Sequence, residues 1–444
     1  MAEGHRRGQT GSRRAPSRLL SAPVLAAIVV LLAVGGAAAV LVATRSPAAR
    51  ALGHLPPSTT AATVPTTTRP PAPPRLVSVS PKPGAVGMGY HSTVTLRFSE
   101  ALSPTGAVPR VVGAPPGTWT RPSPDELVFH PAGNFVPYSK VTVVVPPSTE
   151  STAGVRLGSP VTWHFTVAGA STLRLQQLLA ELGYLPLRFT PSPAGQPGGN
   201  TASAPPAGGA SSTSGAPGVP AGPPGPSGTA LSAAPATPPT VVDEPSKAVD
   251  IPIFPVHGSF SWRFANIPPS LEQLWQTGRA NVVTTGAVMA FEADHDLATD
   301  GVAGPQVWAA LLKAVAARDV THAGYDYVMV TTSTPEYVSL WRNGSVIFET
   351  LANTGIPQAP TELGTWPVYV RYTVTTMSGT NPDGTAYSDP GIPWVSYFHG
   401  GDALHGFLRS QYGYPQSLGC VEMPFAAAGV LYPYTPIGTL VTVL

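Results

Sequence analysis

The chain has 444 residues, a length that allows about three domains, but its 54 prolines and 46 glycines predict that much of it lies outside any packed core. Charged residues make up only 11% of the sequence, and the formal net charge is +2. Because no dense run of lysine and arginine follows residue 20, the sequence argues against nucleic acid as a partner.

The N-terminus is a basic tail followed by a long uncharged segment. Residues 1–18 contain one acid, Glu3, and five arginines, Arg6, Arg7, Arg13, Arg14 and Arg18. Residues 19–44 carry no charge, and residues 22–43 are almost wholly apolar, which is long enough to cross the hydrocarbon core of a bilayer. Since the basic flank of such a helix stays inside, we predict a cytoplasmic tail over 1–18, a transmembrane helix over 19–44 and extracytoplasmic domains beyond.

A cleaved secretory signal is the alternative to this membrane anchor, because residues 37–39 are three small alanines. The apolar run exceeds the usual signal core, which favours the anchor, and no cysteine ends it, which excludes a lipoprotein. Residues 45–74 are a linker rich in proline and threonine, a composition that buries too little surface to fold. Such a linker would hold the following domains at the depth of a cell wall.

Residues 75–168 alternate apolar and polar side chains in short runs that proline and glycine turns separate. Runs beginning at Thr93, Val141 and Val161 each present one apolar face, which predicts a β-sandwich. The sequence SPKPGAVGM…TVTLRFSEAL in this part resembles bacterial Ig-like domains. The resemblance implies a spacer, and a ligand-binding module is the alternative.

A helical pattern begins at Leu175, with Leu178, Leu179 and Leu182 on one face and Gly183 at the expected helix end. The segment LRLQQLLAELGYL is similar to the first helix of the peptidoglycan-binding domain, a three-helix module. A tract of glycine, alanine, proline, serine and threonine follows, with no charge from residue 190 to 242. We predict a disordered insertion over 190–250.

The helical pattern resumes at Ser270, where the sequence predicts a capping box. Val288 and Phe291 indicate a further helix, and Pro305 is placed to start the last one. Residues 287–308 are similar to the pattern AVxxFQxxxGLxxDGVxGPxTW of the same peptidoglycan-binding family. We therefore predict one helical domain over 171–318, interrupted by an insertion whose loop-closure cost grows only logarithmically with length. Whether this domain binds the wall is left open.

From residue 324 to 444 the pattern is β again. Strands are predicted over residues 327–331, 337–341, 345–348, 368–373 and 438–444. Asn343-Gly344 predicts a two-residue hairpin turn. Residues 378–390 are long for a hairpin loop and are interpreted either as a lid or as a plain exposed excursion.

Cys420 is the only cysteine of the chain. An unpaired thiol in an exported domain is either a small buried apolar group or a nucleophile, and the nearby His405 favours the nucleophile. Because an ordinary thiol has a pKa of about 8.5 and is mostly protonated at neutral pH, we predict that His405 takes the Cys420 proton and later gives it to the leaving amine. Gly419 would let the backbone turn sharply, so that N–H groups near Gly419 and Cys420 could stabilise an oxyanion.

Three further residues are candidates for substrate binding. The imidazole of His399, next to Tyr397, would reach the pocket or would serve as a structural hydrogen bonder. Ser417 would fix the nucleophile loop through its hydroxyl or would be a surface serine. One cysteine and two histidines lack the number and spacing of zinc ligands, so neither a metal nor a cofactor is predicted.

His405-Gly406, followed by Ser-Leu-Gly-Cys-Val-Glu-Met over residues 417–423, resembles the signature of the L,D-transpeptidase catalytic domain, whose members cross-link peptidoglycan through a cysteine thioester. Thr354-Gly355 and TELGTW over residues 361–366 resemble the "TG…TPxGxF" run of that family, so the likeness extends over residues 325–444. The sequence departs from the family at two positions. Leu418 replaces a histidine, and Glu422 replaces an arginine or asparagine and so removes a positive charge available to a substrate carboxylate.

The resemblance implies a mainly β, sandwich-like catalytic domain in which the Gly406 carbonyl orients the His405 ring. It also implies a tetrapeptide stem as donor, attacked by Cys420 between diaminopimelate and D-alanine, and inhibition by carbapenems. Water as the acceptor would make the same site an L,D-carboxypeptidase. A degenerate site would leave a wall-binding scaffold, which Leu418 favours and the retained His405 and Cys420 oppose.

Overall fold

The computed structural model describes residues 71–192 and 251–444. The predicted cytoplasmic tail, the transmembrane helix over 19–44, nearly all of the linker and most of the insertion lie outside these residues. Within them, no helix has the length and apolar character needed to cross a bilayer. The described chain is multidomain and mostly β, with a small helical region between two β domains.

The first domain consists of two facing sheets. Its strands are β1 (Leu76–Ser80), β2 (Val94–Phe98), β3 (Arg110–Val112), β4 (Gly117–Ser123), β5 (Glu126–Pro131), β6 (Lys140–Val145) and β7 (Val161–Thr166). The strand orders are β1-β2-β5-β4 and β3-β6-β7. Alternate side chains of β2 and β6 point inward, and Val94, Leu96, Val141 and Val143 are fully buried between the sheets. The predicted β-sandwich is confirmed.

The middle domain is built from helices and one small sheet. Its elements are α1 (Thr172–Glu181), β8 (Leu187–Pro191), β9 (Gly258–Trp262), α2 (Pro269–Glu272), α3 (Val282–Asp294) and α4 (Pro305–Ala317). The Ser171 side chain caps α1 by accepting from the backbone N–H of Arg174, and Gly183 follows the helix end at φ 88°. The longer helices pack around Leu178, Phe291 and other buried apolar side chains.

Two details of the middle domain differ from the sequence prediction. The capping box at Ser270 is wrong, because α2 begins at Pro269 and its N-cap, Pro268, makes no side-chain hydrogen bond. The Ser270 hydroxyl instead accepts a hydrogen bond from the Tyr327 hydroxyl in the next domain. Thr190, placed in the insertion by the sequence, lies in β8 and pairs with Ser259 of β9.

The middle domain shares apolar packing with both neighbours. Tyr327, Trp341 and Leu440 of the C-terminal domain belong to the same buried cluster as the helices. On the other side, Ile253 is buried in the core of the first domain. Each domain therefore contributes side chains that would lose their burial if the chain were cut between domains.

The C-terminal domain has two sheets and one helix. Its elements are β10 (Asp326–Thr331), β11 (Tyr337–Arg342), β12 (Ser345–Leu351), β13 (Gly364–Pro367), β14 (Val370–Thr380), β15 (Ala386–His399), β16 (Asp402–Gly406), β17 (Val421–Met423), α5 (Phe425–Leu431), a 3-10 turn (Tyr432–Tyr434) and β18 (Leu440–Val443). The strand orders are β12-β11-β10-β18-β13 and β14-β15-β16-β17. Side chains from both sheets, including Val328, Val441, Leu404 and Val421, form one core.

The loop predicted over residues 378–390 is mostly strand. β14 and β15 form a long antiparallel hairpin whose turn spans only residues 381–385. Most residues in the distal part of the hairpin are exposed to solvent. Its serine, threonine and glycine residues therefore lack the alternation of apolar and polar side chains that indicates a strand. Backbone pairing with β15 defines these residues as strand.

Candidate active site

Strand pairing places Cys420 and His405 on the same face of one sheet. β16 and β17 are parallel neighbours, with Leu404 opposite Val421 and His405 opposite Glu422. Leu404 and Val421 point into the domain core. Since successive side chains of a strand alternate between faces, His405 and Cys420, which precedes Val421, point to the other face. Both residues line one cavity of about 300 Å³.

The His405 ring is held in one orientation. The residue is only 2% exposed, and its Nδ1 lies 3.1 Å from the carbonyl oxygen of Gly406. A carbonyl can only accept, so Nδ1 carries the proton and Nε2 is left as a base. Burial lowers the pKa of His405 below its usual 6.5, so the imidazole is neutral at pH 7. The Gly406 carbonyl therefore contacts the ring nitrogen that the resemblance assigned to it.

The Cys420 side chain is half-buried and protonated. Its sulfur donates to the carbonyl oxygen of Gly401 at 3.6 Å. Burial raises the pKa of the Cys420 thiol to about 12, and the carboxylates of Asp402 and Glu422 add to the effect. At rest the site therefore contains a neutral thiol and a neutral imidazole rather than a thiolate–imidazolium pair.

The loop before the nucleophile depends on Gly419 and Ser417. Gly419 has φ 110°, and a Cβ added there would lie 2.4 Å from Oδ1 of Asp402, so only glycine fits. The Ser417 hydroxyl is buried and donates to the carbonyl oxygen of Cys420 at 2.5 Å. This contact places Ser417 in the support of the loop, on the interior side of the chain, and not on the cavity wall.

A buried carboxylate that the sequence did not point to supports the same loop. Glu336 is fully buried and accepts hydrogen bonds from the Thr354 backbone N–H at 2.6 Å and hydroxyl at 2.8 Å. The Thr354 carbonyl in turn accepts from the backbone N–H of Ser417 at 3.0 Å. The Thr-Gly run of the sequence is thus a brace between Glu336 and the nucleophile loop.

An arginine missed by the sequence analysis lies in the cavity wall. Arg409 pairs with Glu422 through two hydrogen bonds, Nε to Oε2 at 2.7 Å and Nη2 to Oε1 at 2.8 Å. Glu422 thus neutralises the guanidinium that a different segment brings into the cavity wall, and the prediction that it leaves no positive charge for a substrate carboxylate stays a prediction. In the sequence, the only signal for this arginine is that Arg409 is a basic residue close to the motif. Leu418 also lines the cavity, as an apolar wall.

Two other predicted residues, His399 and Tyr397, are not among those that line the cavity. His399 packs against the Trp366 ring, with centroids 4.3 Å apart, and its Nδ1 is 3.8 Å from Oδ2 of Asp402. Tyr397 packs with Cys420 against the same small apolar cluster, and burial raises the pKa of Tyr397 to about 12. Tyr397 is therefore a protonated donor beside the thiol.

Within the part of the chain that the structure describes, no group of three or more histidine, cysteine, aspartate or glutamate side chains could hold a metal ion. The cavity presents groups suited to acid–base and nucleophilic chemistry: a thiol, an imidazole with a free Nε2, and charged side chains.

Comparison with protein families divides the chain into three. Residues 325–443 match the family model of the L,D-transpeptidase catalytic domain. Residues 70–167 match the bacterial Ig-like domain, and residues 273–311 match a peptidoglycan binding domain. No curated protein matches the chain at a significant level. The chain thus carries a catalytic domain of the L,D-transpeptidase family behind an Ig-like and a peptidoglycan-binding domain.

Several solved structures are similar to parts of the chain. An L,D-transpeptidase from Mycobacterium smegmatis is 12% identical over 84% of this chain and 100% of its own, with a TM-score of 0.25. The catalytic domain of the Enterococcus faecium L,D-transpeptidase is 27% identical over 28% of this chain and 100% of its own, with a TM-score of 0.25. L,D-transpeptidase 3 from Mycobacterium tuberculosis, solved with a faropenem-derived adduct, is 11% identical over 83% of this chain and 97% of its own, with a TM-score of 0.25.

Proposed function

We propose that the chain, which carries an L,D-transpeptidase catalytic domain, cross-links peptidoglycan stem peptides through a thioester on Cys420. The observation that supports this most directly is the shared cavity. Cys420 and His405 line it from the same face of one sheet, and the nitrogen of His405 that is free to act as a base is Nε2.

In the first half-reaction the Cys420 sulfur attacks the carbonyl carbon between diaminopimelate and the terminal D-alanine of a tetrapeptide stem. His405 Nε2 accepts the thiol proton as the S–C bond forms and gives it to the leaving amine as the C–N bond breaks. Because the pKa of Cys420 is raised and that of His405 is lowered, the thiol and the imidazole are both neutral at pH 7, and the proton moves to His405 only as the S–C bond forms. D-alanine leaves and the tripeptide acyl group stays on the sulfur.

In the second half-reaction a side-chain amine of a neighbouring stem attacks the thioester carbonyl. His405 removes a proton from the amine, the C–S bond breaks, and the proton returns to the sulfur. Backbone N–H groups at Gly419 and Cys420 would stabilise the oxyanion in both steps, since the φ of 110° at Gly419 turns this peptide segment. The Gly406 carbonyl would keep the imidazole in the reactive tautomer throughout.

The other domains would bring this site to its substrate. We propose that residues 19–44 anchor the chain in the cytoplasmic membrane, with the later domains in the cell wall, on the basis of their uncharged apolar sequence. The Ig-like domain would act as a spacer. The peptidoglycan-binding domain would contact the wall polymer that supplies the stem peptides.

The test is to incubate the purified chain with disaccharide-tetrapeptide and to analyse protein and products by mass spectrometry. The full chain is needed because Tyr327, Trp341 and Leu440 of the catalytic domain are buried in the helical core. We expect an acyl adduct on Cys420, free D-alanine and cross-linked dimers, with none of these from Cys420→Ala. A carbapenem should acylate the same sulfur.

The outcomes separate the alternatives. An adduct with trimmed tripeptides but no dimers would identify an L,D-carboxypeptidase. No adduct, with wild type and Cys420→Ala behaving alike, would leave a wall-binding scaffold and refute the enzymatic proposal.

A further inference from the structure

The charged side chains of the cavity do not balance. Three line it: Asp389, Arg409 and Glu422. Arg409 and Glu422 neutralise each other, because both Glu422 oxygens accept from the same guanidinium. With a neutral thiol and a neutral imidazole, the carboxylate of Asp389 leaves the cavity with a net negative charge.

Asp389 lies where it can meet a ligand. It is on β15, opposite Met377 of β14, and both residues belong to the hairpin wall of the cavity. Its side chain is half-buried and makes no hydrogen bond or ion pair with any residue in the described part of the chain. Its charge also acts on the pKa of His405, on which burial is the larger influence. The carboxylate therefore faces the reacting groups across the cavity without a partner of its own.

We propose that Asp389 is a specificity residue that pairs with a protonated amine of the peptide ligand. This proposal rests on the proposed function, in which the stem peptides that are joined carry such an amine on a side chain. A partly desolvated carboxylate prefers an ammonium ion to a neutral amide, and a charge-assisted hydrogen bond contributes roughly tenfold or more to affinity. Arg409 is less suited to pair with a substrate carboxylate, because its Nε and Nη2 already donate to Glu422 and to the Gln416 carbonyl.

The amine can come from the donor or from the acceptor stem. In the acceptor it is the attacking group, and Asp389 would gather it as the ammonium ion before His405 removes a proton. In the donor stem, the ion pair between the amine and Asp389 would position the acyl group next to Cys420. The same carboxylate chemistry serves both, so the two sources are separated by experiment.

The decisive measurement is binding, which does not depend on turnover. Stem tetrapeptide with a free side-chain amine and the same peptide with that amine acetylated are titrated by calorimetry into Cys420→Ala and into Cys420→Ala with Asp389→Asn. We expect acetylation to weaken binding about tenfold for Cys420→Ala and to have no effect once Asp389 is neutralised. An equal effect of acetylation on both proteins would overturn the proposal.

A matched control removes a carboxylate elsewhere in the same domain. Glu349 is outside the cavity and accepts a hydrogen bond from Ser339 at 2.9 Å, which glutamine can also accept. Glu349→Gln, combined with Cys420→Ala, should show the same tenfold discrimination as Cys420→Ala alone. Loss of discrimination in this control as well would mean that general charge, and not Asp389, is responsible, and would also overturn the proposal.

The two half-reactions, measured separately in the active protein, then show whether the donor or the acceptor stem supplies the amine. Asp389→Asn should slow acyl-enzyme formation from the amine-bearing donor, if the donor supplies the ammonium. If the acceptor supplies it, the variant should acylate normally but shift the acyl-enzyme from cross-linking toward hydrolysis. Failure of the wild type to acylate would refute the proposed function, while the binding result would still decide the role of Asp389.

Discussion

Glu292 in α3 provides a direct test of how burial affects a carboxyl group in the helical domain. The side chain is 0% exposed, and its Oε2 accepts from the backbone N–H of Gly301 at 2.8 Å. Oε1 has no hydrogen-bond partner among the described residues. Burial raises the pKa of Glu292 to about 7, the Gly301 hydrogen bond opposes this, and the nearby Asp300 carboxylate adds to it. The peptidoglycan-binding pattern quoted above has glutamine at this position.

The magnitude follows from proton linkage. A folded-state pKa of about 7 against an ordinary 4.5 means that the folded protein holds this proton more tightly than the unfolded chain does. Its contribution to stability is fully present below pH 4.5 and is lost as the pH rises through about 7. The loss amounts to roughly 3 kcal/mol at 1.36 kcal/mol per pH unit. Glutamine is neutral at every pH and can still accept from Gly301, so Glu292→Gln should remove this loss.

The assay is thermal unfolding of wild type and Glu292→Gln from pH 4 to pH 9. We expect similar midpoints at pH 4 and a variant that is several degrees more stable at pH 8. Glu272→Gln, at an exposed glutamate of α2, is the matched control and should show no such divergence. A gap between Glu292→Gln and wild type that stays the same at both pH values would refute the reasoning.

Three further outcomes concern the nucleophile. Gly419→Ala should slow acylation of Cys420 by about 100-fold without altering the circular dichroism spectrum, because the new Cβ lies 2.4 Å from the Asp402 carboxylate; an unchanged acylation rate would contradict the geometry. Since the pKa of Cys420 is raised to about 12, its rate of alkylation by iodoacetamide should keep rising through pH 10. A rate that levels off near pH 8.5, as for free cysteine, would show that the thiol has an ordinary pKa. Ser417→Ala removes a buried hydrogen bond to the Cys420 carbonyl and should lower the free energy of unfolding by about 1 kcal/mol in denaturant titrations. A variant as stable as the wild type would show that this hydrogen bond does not stabilise the folded protein.

Local signals in the sequence predicted several of the strands and helices. The alternation at 93–98 corresponds to β2, and Asn343-Gly344 forms the turn between β11 and β12. Both signals depend only on neighbouring residues, because the alternation of side chains along a strand and the positive φ angles of a turn are local properties of the chain. Asn343 and Gly344 have φ 49° and 103°, as this turn requires.

Predictions failed where a distant segment provided the hydrogen bonds. Ser270 is not a helix cap because Tyr327, in another domain, donates to its hydroxyl. The distal half of β14 is a strand because β15 pairs with it, although its own residues carry no apolar stripe. Arg409 pairs with Glu422, which is 13 positions away in the chain, and no local pattern indicates this contact.

The sequence alone determined which groups are available for chemistry: one thiol, a histidine beside a glycine carbonyl, and a glycine where the chain must turn. Only the tertiary structure decided that β16 and β17 pair in parallel, with His405 opposite Glu422. It also decided the protonation states, because burial, which raises the pKa of Cys420 and lowers that of His405, comes from segments far apart in the chain.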